Sequence, residues 1–221
     1  MANTTIYDVN TLRTYVGEMN TDIFDLIAYT HAYEKYISNR DYIYTCQNSE
    51  ISEFCVQIKN ENLPHLLALS KSHHSNLPEY QALKVFEHLK DDWDLNFLES
   101  SDPGYFEEFK LRIFGTFFIY QMLNLINCEV RIPLPKAQRM RKLNIDFIFI
   151  PNNSDAILYT LELKTADQQK DGRPVYFPIS LRVKDNKVYN ETRKIAVNLV
   201  DVIKVPKVKV KKKKKKKPKN K

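Results

Sequence analysis

Two runs in the last third of the chain constrain the fold most. Ile157 to Lys164 reads ILYTLELK, and Val175 to Val183 reads VYFPISLRV. Both alternate in a period of two, which places successive side chains on opposite faces of a strand. In the first run Ile157, Tyr159, Leu161 and Leu163 share one side, and Leu158, Thr160, Glu162 and Lys164 share the other. In the second, Val175, Phe177, Ile179, Leu181 and Val183 oppose Tyr176, Pro178, Ser180 and Arg182. A polar loop containing Asp171-Gly172-Arg173-Pro174 joins the runs, so an antiparallel pair is expected. Its apolar side is expected to bury against helices. Its polar side is expected to present Thr160, Glu162, Lys164, Ser180 and Arg182 together. Alternation alone describes a solvated sheet face, but cations and hydroxyls fixed on a rigid sheet also suit a phosphate.

The remaining segments supply helices and further strands. Thr11 to Tyr36 carries Leu12, Tyr15, Val16, Met19, Ile23, Leu26, Ile27 and Tyr33 at helical spacing. Asp41 to Cys46 and Ser52 to Ile58 read as a strand pair joined by Gln-Asn-Ser-Glu. Leu63 to about Lys90 reads as helical with a break near Pro78, and Tyr105 to Ile126 as another helix. Ile145 to Ile150, IDFIFI, reads as a strand, and Asn190 to Val202 as helix-like. The expected class is α+β: N-terminal and central helices packed on a mainly antiparallel sheet. Residues 1–204 are expected to form one domain. Residues 205–221, VPKVKVKKKKKKKPKNK, are expected to form a disordered lysine tail, because the segment has no core-forming residues beyond a few valines and its charges repel.

Composition excludes several classes. There are four glycines in 221 residues, so neither a Gly-rich phosphate loop nor a dinucleotide fingerprint is present. Cys46, Cys55 and Cys128 are odd in number and form no CxxC pair; a reducing, cytoplasmic setting is expected and a disulfide framework is not. The opening MANTTIYDVN has no basic or apolar leader pattern, and the apolar stretch Ile113 to Met122 is too short for a bilayer, so no membrane association is expected. The net charge of +7 hides a segregation. Eleven of the 34 Lys and Arg residues lie in 205–221, which has no acid, leaving 23 basic against 27 acidic residues in the body. Lysines near a nucleic-acid backbone release counterions, so the tail suits nonspecific phosphate binding; a solubilising end explains it equally.

His65, in NLPHLLALSK, is the titratable residue of most interest. An imidazole exchanges protons near neutrality, as transfer to or from a ribose hydroxyl requires. A single histidine beside leucines is also a common structural residue. His31, His73, His74 and His88 have no zinc-ligand spacing.

The order of several short phrases resembles the phage-associated nuclease family four of the Barnase–EndoU–colicin–RelE superfamily, from about Ala28 to Val205. ENLPHLLALSK is similar to the family's HLLGLHKL phrase, with His65, Leu66, Leu67, Leu69 and Lys71 in place and Ala68 where the family prefers Gly. FEEFKLRIFGTF resembles its ERLxxF helix and aligns Arg112 with the family's Arg. KLNIDFIFI resembles KIxADYLL. YFPISLRV, within Val175–Val183, resembles YFPxSFF with Ser180 aligned, and Leu181-Arg182 replace two aromatics. YNETRKIAV is similar to the following Y-x-x-x-Q-K segment. The resemblance implies a compact ribonuclease of that superfamily's fold, needing no cofactor and no metal. RNA would be its substrate, a protein antitoxin or inhibitor a partner, and a phage or other mobile element its setting, with a toxin or host-conflict role. The implied reaction is attack of the RNA 2′-hydroxyl on its own phosphate. His65 is the expected acid or base, Arg112 and Lys164 the cations at the phosphate, Ser180 a hydrogen-bond donor, and Arg182 an assisting cation.

A rival reading rests on the same strands. Asp146 followed by Glu162-Leu163-Lys164 resembles the PD-(D/E)xK nuclease motif, in which two carboxylates hold Mg²⁺ and the lysine acts on water or phosphate. Ile145 stands where that motif has Pro. A third reading is a binding module for RNA or protein without catalysis.

Overall fold

The computed structural model describes residues 7–47, 51–70, 76–152, 157–184 and 187–206. Two helices open the described chain, α1 (Val9–Thr14) and α2 (Leu26–Tyr36), followed by strands β1 (Arg40–Cys46) and β2 (Glu53–Ile58). The helical middle comprises α3 (Asn62–Leu66), α4 (Ala82–Asp91), α5 (Leu95–Ser101) and α6 (Pro103–Gly115). A 3₁₀ turn (Thr116–Phe118) leads to α7 (Ile119–Leu123). Then come β3 (Cys128–Pro133), α8 (Gln138–Lys142), β4 (Ile145–Pro151), β5 (Leu158–Lys170), β6 (Arg173–Lys184), α9 (Lys187–Glu191), β7 (Thr192–Ile195) and β8 (Val197–Lys204).

Local chemistry sets several of these boundaries. Asp25, Asp94 and Asp102 each accept a hydrogen bond from a first-turn amide, which satisfies an otherwise orphaned donor of α2, α5 and α6. Pro103 follows Asp102 at the first helical position, where its missing N–H costs nothing. Gly17, at φ +120°, interrupts the helix expected over Thr11–Tyr36 and leaves α1 and α2 as separate pieces. The helical stretch expected over Leu63–Lys90 with a break near Pro78 is two helices on either side of that proline, α3 and α4, the first shorter than expected. Asn190–Val202, expected to be helix-like, is instead the last two residues of α9 followed by two edge strands. Val197 and Leu199 turn their apolar side inward while β8 pairs with β1. Strand β3 was not expected from the sequence at all.

The described strands form one mixed sheet in the order β7-β3-β4-β5-β6-β2-β1-β8. Its neighbours are antiparallel except β2 and β6, which run parallel and pair at Cys55–Val175 and Val56–Tyr176. The sheet curls. Flat strands three places apart lie about 14 Å from each other at ~4.8 Å per step. Yet the ring of Phe54 on β2 stacks on that of Phe147 on β4 at 4.3 Å between centroids. The concave face carries Phe54, Phe147, Phe149, Tyr159, Leu161, Leu163 and Leu181 into a core shared with α2, α4, α6 and α7. A second, smaller cluster lies on the opposite face, where Ala137 and Met140 of the α8 region and Val188 of α9 cover Ile145, Ile148 and Ile150. This second layer overturns one expectation. Thr160 and Glu162, read as part of a presented polar face, are fully buried. Among the described residues, no helix is long and apolar enough to cross a membrane.

Candidate active site

Because β2 meets β6 only near its N-terminal end, the Ser180–Val183 stretch of β6 has no strand partner beyond β5 in the described sheet. Helix α6 packs alongside that stretch. Between them lies an open groove of about 400 Å³, lined by Glu108, Phe109 and Arg112 from α6 and by Ser180, Leu181, Arg182 and Val183 from β6.

Arg112 ties this groove to the segment that carries His65. Its Nε donates to the carbonyl of Leu66 at 2.7 Å, and its Nη2 donates to the carbonyl of His65 at 2.8 Å. These carbonyls end the short helix α3, where a cation satisfies orphaned acceptors. The Tyr105 hydroxyl donates to the next carbonyl, Leu67, at 2.6 Å. The chain then turns through Ala68 at φ +62°. A left-handed backbone favours glycine, which accounts for the Gly that the resembling phrase prefers there. The His65 side chain itself is exposed. Burial pushes the Arg112 guanidinium down to about 10, and Arg182 pushes the same way, against Tyr105 and Glu162.

Beneath the groove sits a charged core. Glu162 on β5 is fully buried, and both its oxygens accept from Arg139 of α8, at 2.9 Å each. Such a fork is the strongest geometry available to a guanidinium and a carboxylate. Ser180 stands opposite Glu162 in the β5–β6 ladder, and Arg182 stands opposite Thr160. Burial lowers the pKa of Arg182, Arg139 lowers it further, and Glu162 raises it. Arg139 holds Glu162 directly and the charges of Arg112 and Arg182 also act on it; with Glu108 on the groove wall, three guanidinium groups stand against two carboxylates, a net positive balance that suits a phosphate. Thr160 Oγ1 is buried without a hydrogen-bond partner among the described residues.

The structure thus brings Arg112, Ser180 and Arg182 into one groove and fastens the backbone of His65 to it. Lys164 does not line the groove. Ladder irregularities on both flanks of Leu163 place Lys164 opposite Ile145 and Phe177, and its charge acts on Asp146. Arg139 was missed by sequence reading, although a signal was present: residues 130–145 contain five basic residues and no acid.

The carboxylates of the rival motif are engaged elsewhere. Asp146 occupies the irregularity in β4 and accepts from the Thr165 amide at 3.0 Å, while Glu162 is held by Arg139. Burial raises the Asp146 pKa. Among the described residues, no group of three or more His, Cys, Asp and Glu is placed to hold a metal ion. The other histidines lie apart. His31 is exposed on α2, and His88 stacks on Trp93 at 4.7 Å and pairs with Asp92. His73 and His74 fall outside the described residues. The three cysteines are free thiols.

Comparison with curated proteins and with solved structures gave no match. A family model described as phage-Barnase-EndoU-ColicinE5/D-RelE like nuclease4 matches residues 26–220, which take in every residue of the groove and of the charged core beneath it. The chain therefore belongs to the phage-Barnase-EndoU-ColicinE5/D-RelE like nuclease4 family, whose substrate is nucleic acid.

Proposed function

We propose that the protein is an endoribonuclease that cleaves RNA by attack of the ribose 2′-hydroxyl on the adjacent phosphate. The observation that carries this reading is the groove in which Arg112, Ser180 and Arg182 meet beside the backbone of His65. The nucleophile is already tethered next to its phosphorus, so the protein must supply proton transfer and charge stabilisation. His65 takes the proton from the 2′-oxygen as the 2′-O–P bond forms, or returns one to the 5′-oxygen as its bond to phosphorus breaks. Arg182 and the remaining N–H groups of Arg112 face the developing negative charge, and the Ser180 hydroxyl donates to a phosphate oxygen. Arg139 neutralises Glu162, so the buried carboxylate does not repel the substrate. Lys164 is a more distant cation in this scheme. The products are a 2′,3′-cyclic phosphate and a 5′-hydroxyl.

The family's phage association supports a role in conflict between a mobile element and its host, acting in the cytoplasm and restrained by a protein antitoxin. The lysine-rich end adds nonspecific attraction to the RNA backbone.

Incubation of purified protein with total RNA and with DNA, with and without EDTA, tests the reaction. RNA cleavage that survives EDTA, leaves cyclic phosphate termini and spares DNA is expected. His65→Ala is expected to lose roughly 10²–10⁴ in rate, the usual contribution of a positioned acid or base. EDTA-sensitive cleavage of DNA with full activity in His65→Ala overturns the proposal.

A further inference from the structure

A second cavity, of about 500 Å³, opens where β3, β4 and β7 end together; among its lining residues are Ile132, Leu134, Arg141, Asp146, Phe147 and Arg193. It is separate from the groove, and none of its residues lines that site. Each charged group reaches it for a stated reason. Asp146 is the irregular residue of β4, which takes its carboxyl out of strand alternation. Among the described residues its hydrogen bond is the one from the Thr165 amide. Arg193 lies opposite Ile132 in the β3–β7 ladder, is exposed, and has no ion-pair partner among the described residues. Arg141 is exposed at the end of α8, where it donates to the Pro135 carbonyl at 3.2 Å.

Helix α8 links the two sites. Arg139 and Arg141 are two positions apart, and side chains so spaced do not share a helix face. The first reaches Glu162 beneath the groove and the second lines the cavity. The surrounding charge is one-sided: Arg131, Lys136, Arg139, Arg141 and Lys142 occur in residues 130–145 without an acid, in a body that is acidic by count.

We propose that this cavity is a nucleotide-binding subsite, which holds a further unit of the RNA strand whose scissile phosphate lies in the groove. The ligand must offer an anion to two guanidinium groups, hydrogen-bond donors to a carboxylate, and a flat face to apolar walls. A nucleotide offers all three: its phosphate suits arginine, and the amino group of adenine, cytosine or guanine donates to a carboxylate. A cavity of this size that pairs apolar walls with converging charged groups suits a ligand that is both flat and charged. The inference takes its biological meaning from the ribonuclease reading, but it predicts binding whether or not cleavage occurs.

The test uses the full chain and a fluorescent single-stranded RNA with 2′-O-methyl riboses, which blocks 2′-hydroxyl attack, read by anisotropy over a range of salt. Arg141→Ala/Arg193→Ala is expected to bind more weakly. Its log–log salt slope should fall by about 0.7, the contribution of the one phosphate contact on a single strand that the two arginines share. Lys35→Ala/Lys84→Ala removes the same charge from exposed helix positions on the other layer and is expected to leave the slope unchanged. Asp146→Asn is expected to narrow the difference in affinity between oligocytidine and oligouridine. Arg141→Gln/Arg193→Gln serves if the alanine pair unfolds. Unchanged affinity and slope in the arginine variants, or equal losses in the lysine control, overturns the subsite. RNA cleavage is assayed separately. Arginine-dependent binding without any cleavage keeps the subsite and removes the ribonuclease reading; cleavage with arginine-independent binding does the reverse.

Discussion

Gly115 is the position at which the structure reverses a forecast made from helix propensity. It closes α6 at φ −61°, a conformation open to any residue, so Gly115→Ala is expected from propensity to stabilise the helix by up to about 1 kcal/mol. A Cβ built there meets Tyr159 Cδ1 at 2.4 Å, Tyr159 Cε1 at 2.6 Å and Leu181 Cδ2 at 3.3 Å. The Tyr159 ring cannot swing aside, since it is buried and stacks on Phe118 at 5.5 Å between centroids. Forcing a methyl group into a packed core costs typically ~1–3 kcal/mol. Set against the propensity gain, the net loss is about 0–2 kcal/mol, or up to roughly 8 °C in Tm at ~2–4 °C per kcal/mol for a chain of this size, where propensity alone forecasts a gain. Gly104→Ala is the control, because that glycine is exposed in the first turn of the same helix and its added Cβ meets nothing nearer than Asp102 Oδ1 at 3.6 Å. It should be neutral or slightly stabilising. Thermal and urea unfolding of both variants decide the matter. Leu181 lies beside Ser180 and Arg182, so Gly115→Ala should also lower cleavage of RNA. If both substitutions stabilise to a similar degree, the close packing of α6 on β5 and β6 is wrong.

Three further outcomes follow from the charged groups. Arg139→Ala takes the bidentate partner from buried Glu162; the ~3–5 kcal/mol typical of a broken buried pair falls to about 2–3 kcal/mol here, because Arg139 is 37% exposed. The double variant with Glu162→Gln should recover part of that loss, and strict additivity in urea unfolding refutes the coupling. Burial raises the Asp146 pKa, so its ionised form opposes folding at neutral pH. Asp146→Asn should therefore raise Tm above the raised pKa of Asp146, and the gain should vanish below its ordinary range, where both folded and unfolded carboxyls are protonated; a pH-independent Tm difference counts against this. Removal of residues 207–221 should flatten the salt dependence of RNA binding, measured by anisotropy, without moving the unfolding midpoint; an unchanged slope removes those lysines from substrate attraction.

The strand character of Ile157–Lys164 and Val175–Val183 was legible because period-two alternation is a local property of the chain. So were the class of fold and the candidacy of Arg112, Ser180 and Arg182, which line one groove. The ordered phrases that resemble the nuclease family were legible for the same reason, since each is a short contiguous string. What alternation could not decide is which side of the sheet meets solvent. It assigned Thr160 and Glu162 to an open face, whereas α8 and α9 cover that face, and Arg139 of α8, more than twenty positions away in sequence, reaches in to satisfy the carboxylate. Nor did it decide the shape of β4, where an extra residue at Asp146 separates the two carboxylates of the metal-binding reading. The misassigned Asn190–Val202 segment has the same cause: its residues tolerate either period, and pairing with β1 and β3 made them strands. Local pattern is set by backbone geometry and neighbouring side chains, but the partner that covers a face or pairs an edge is chosen by long-range packing, which no window of sequence contains.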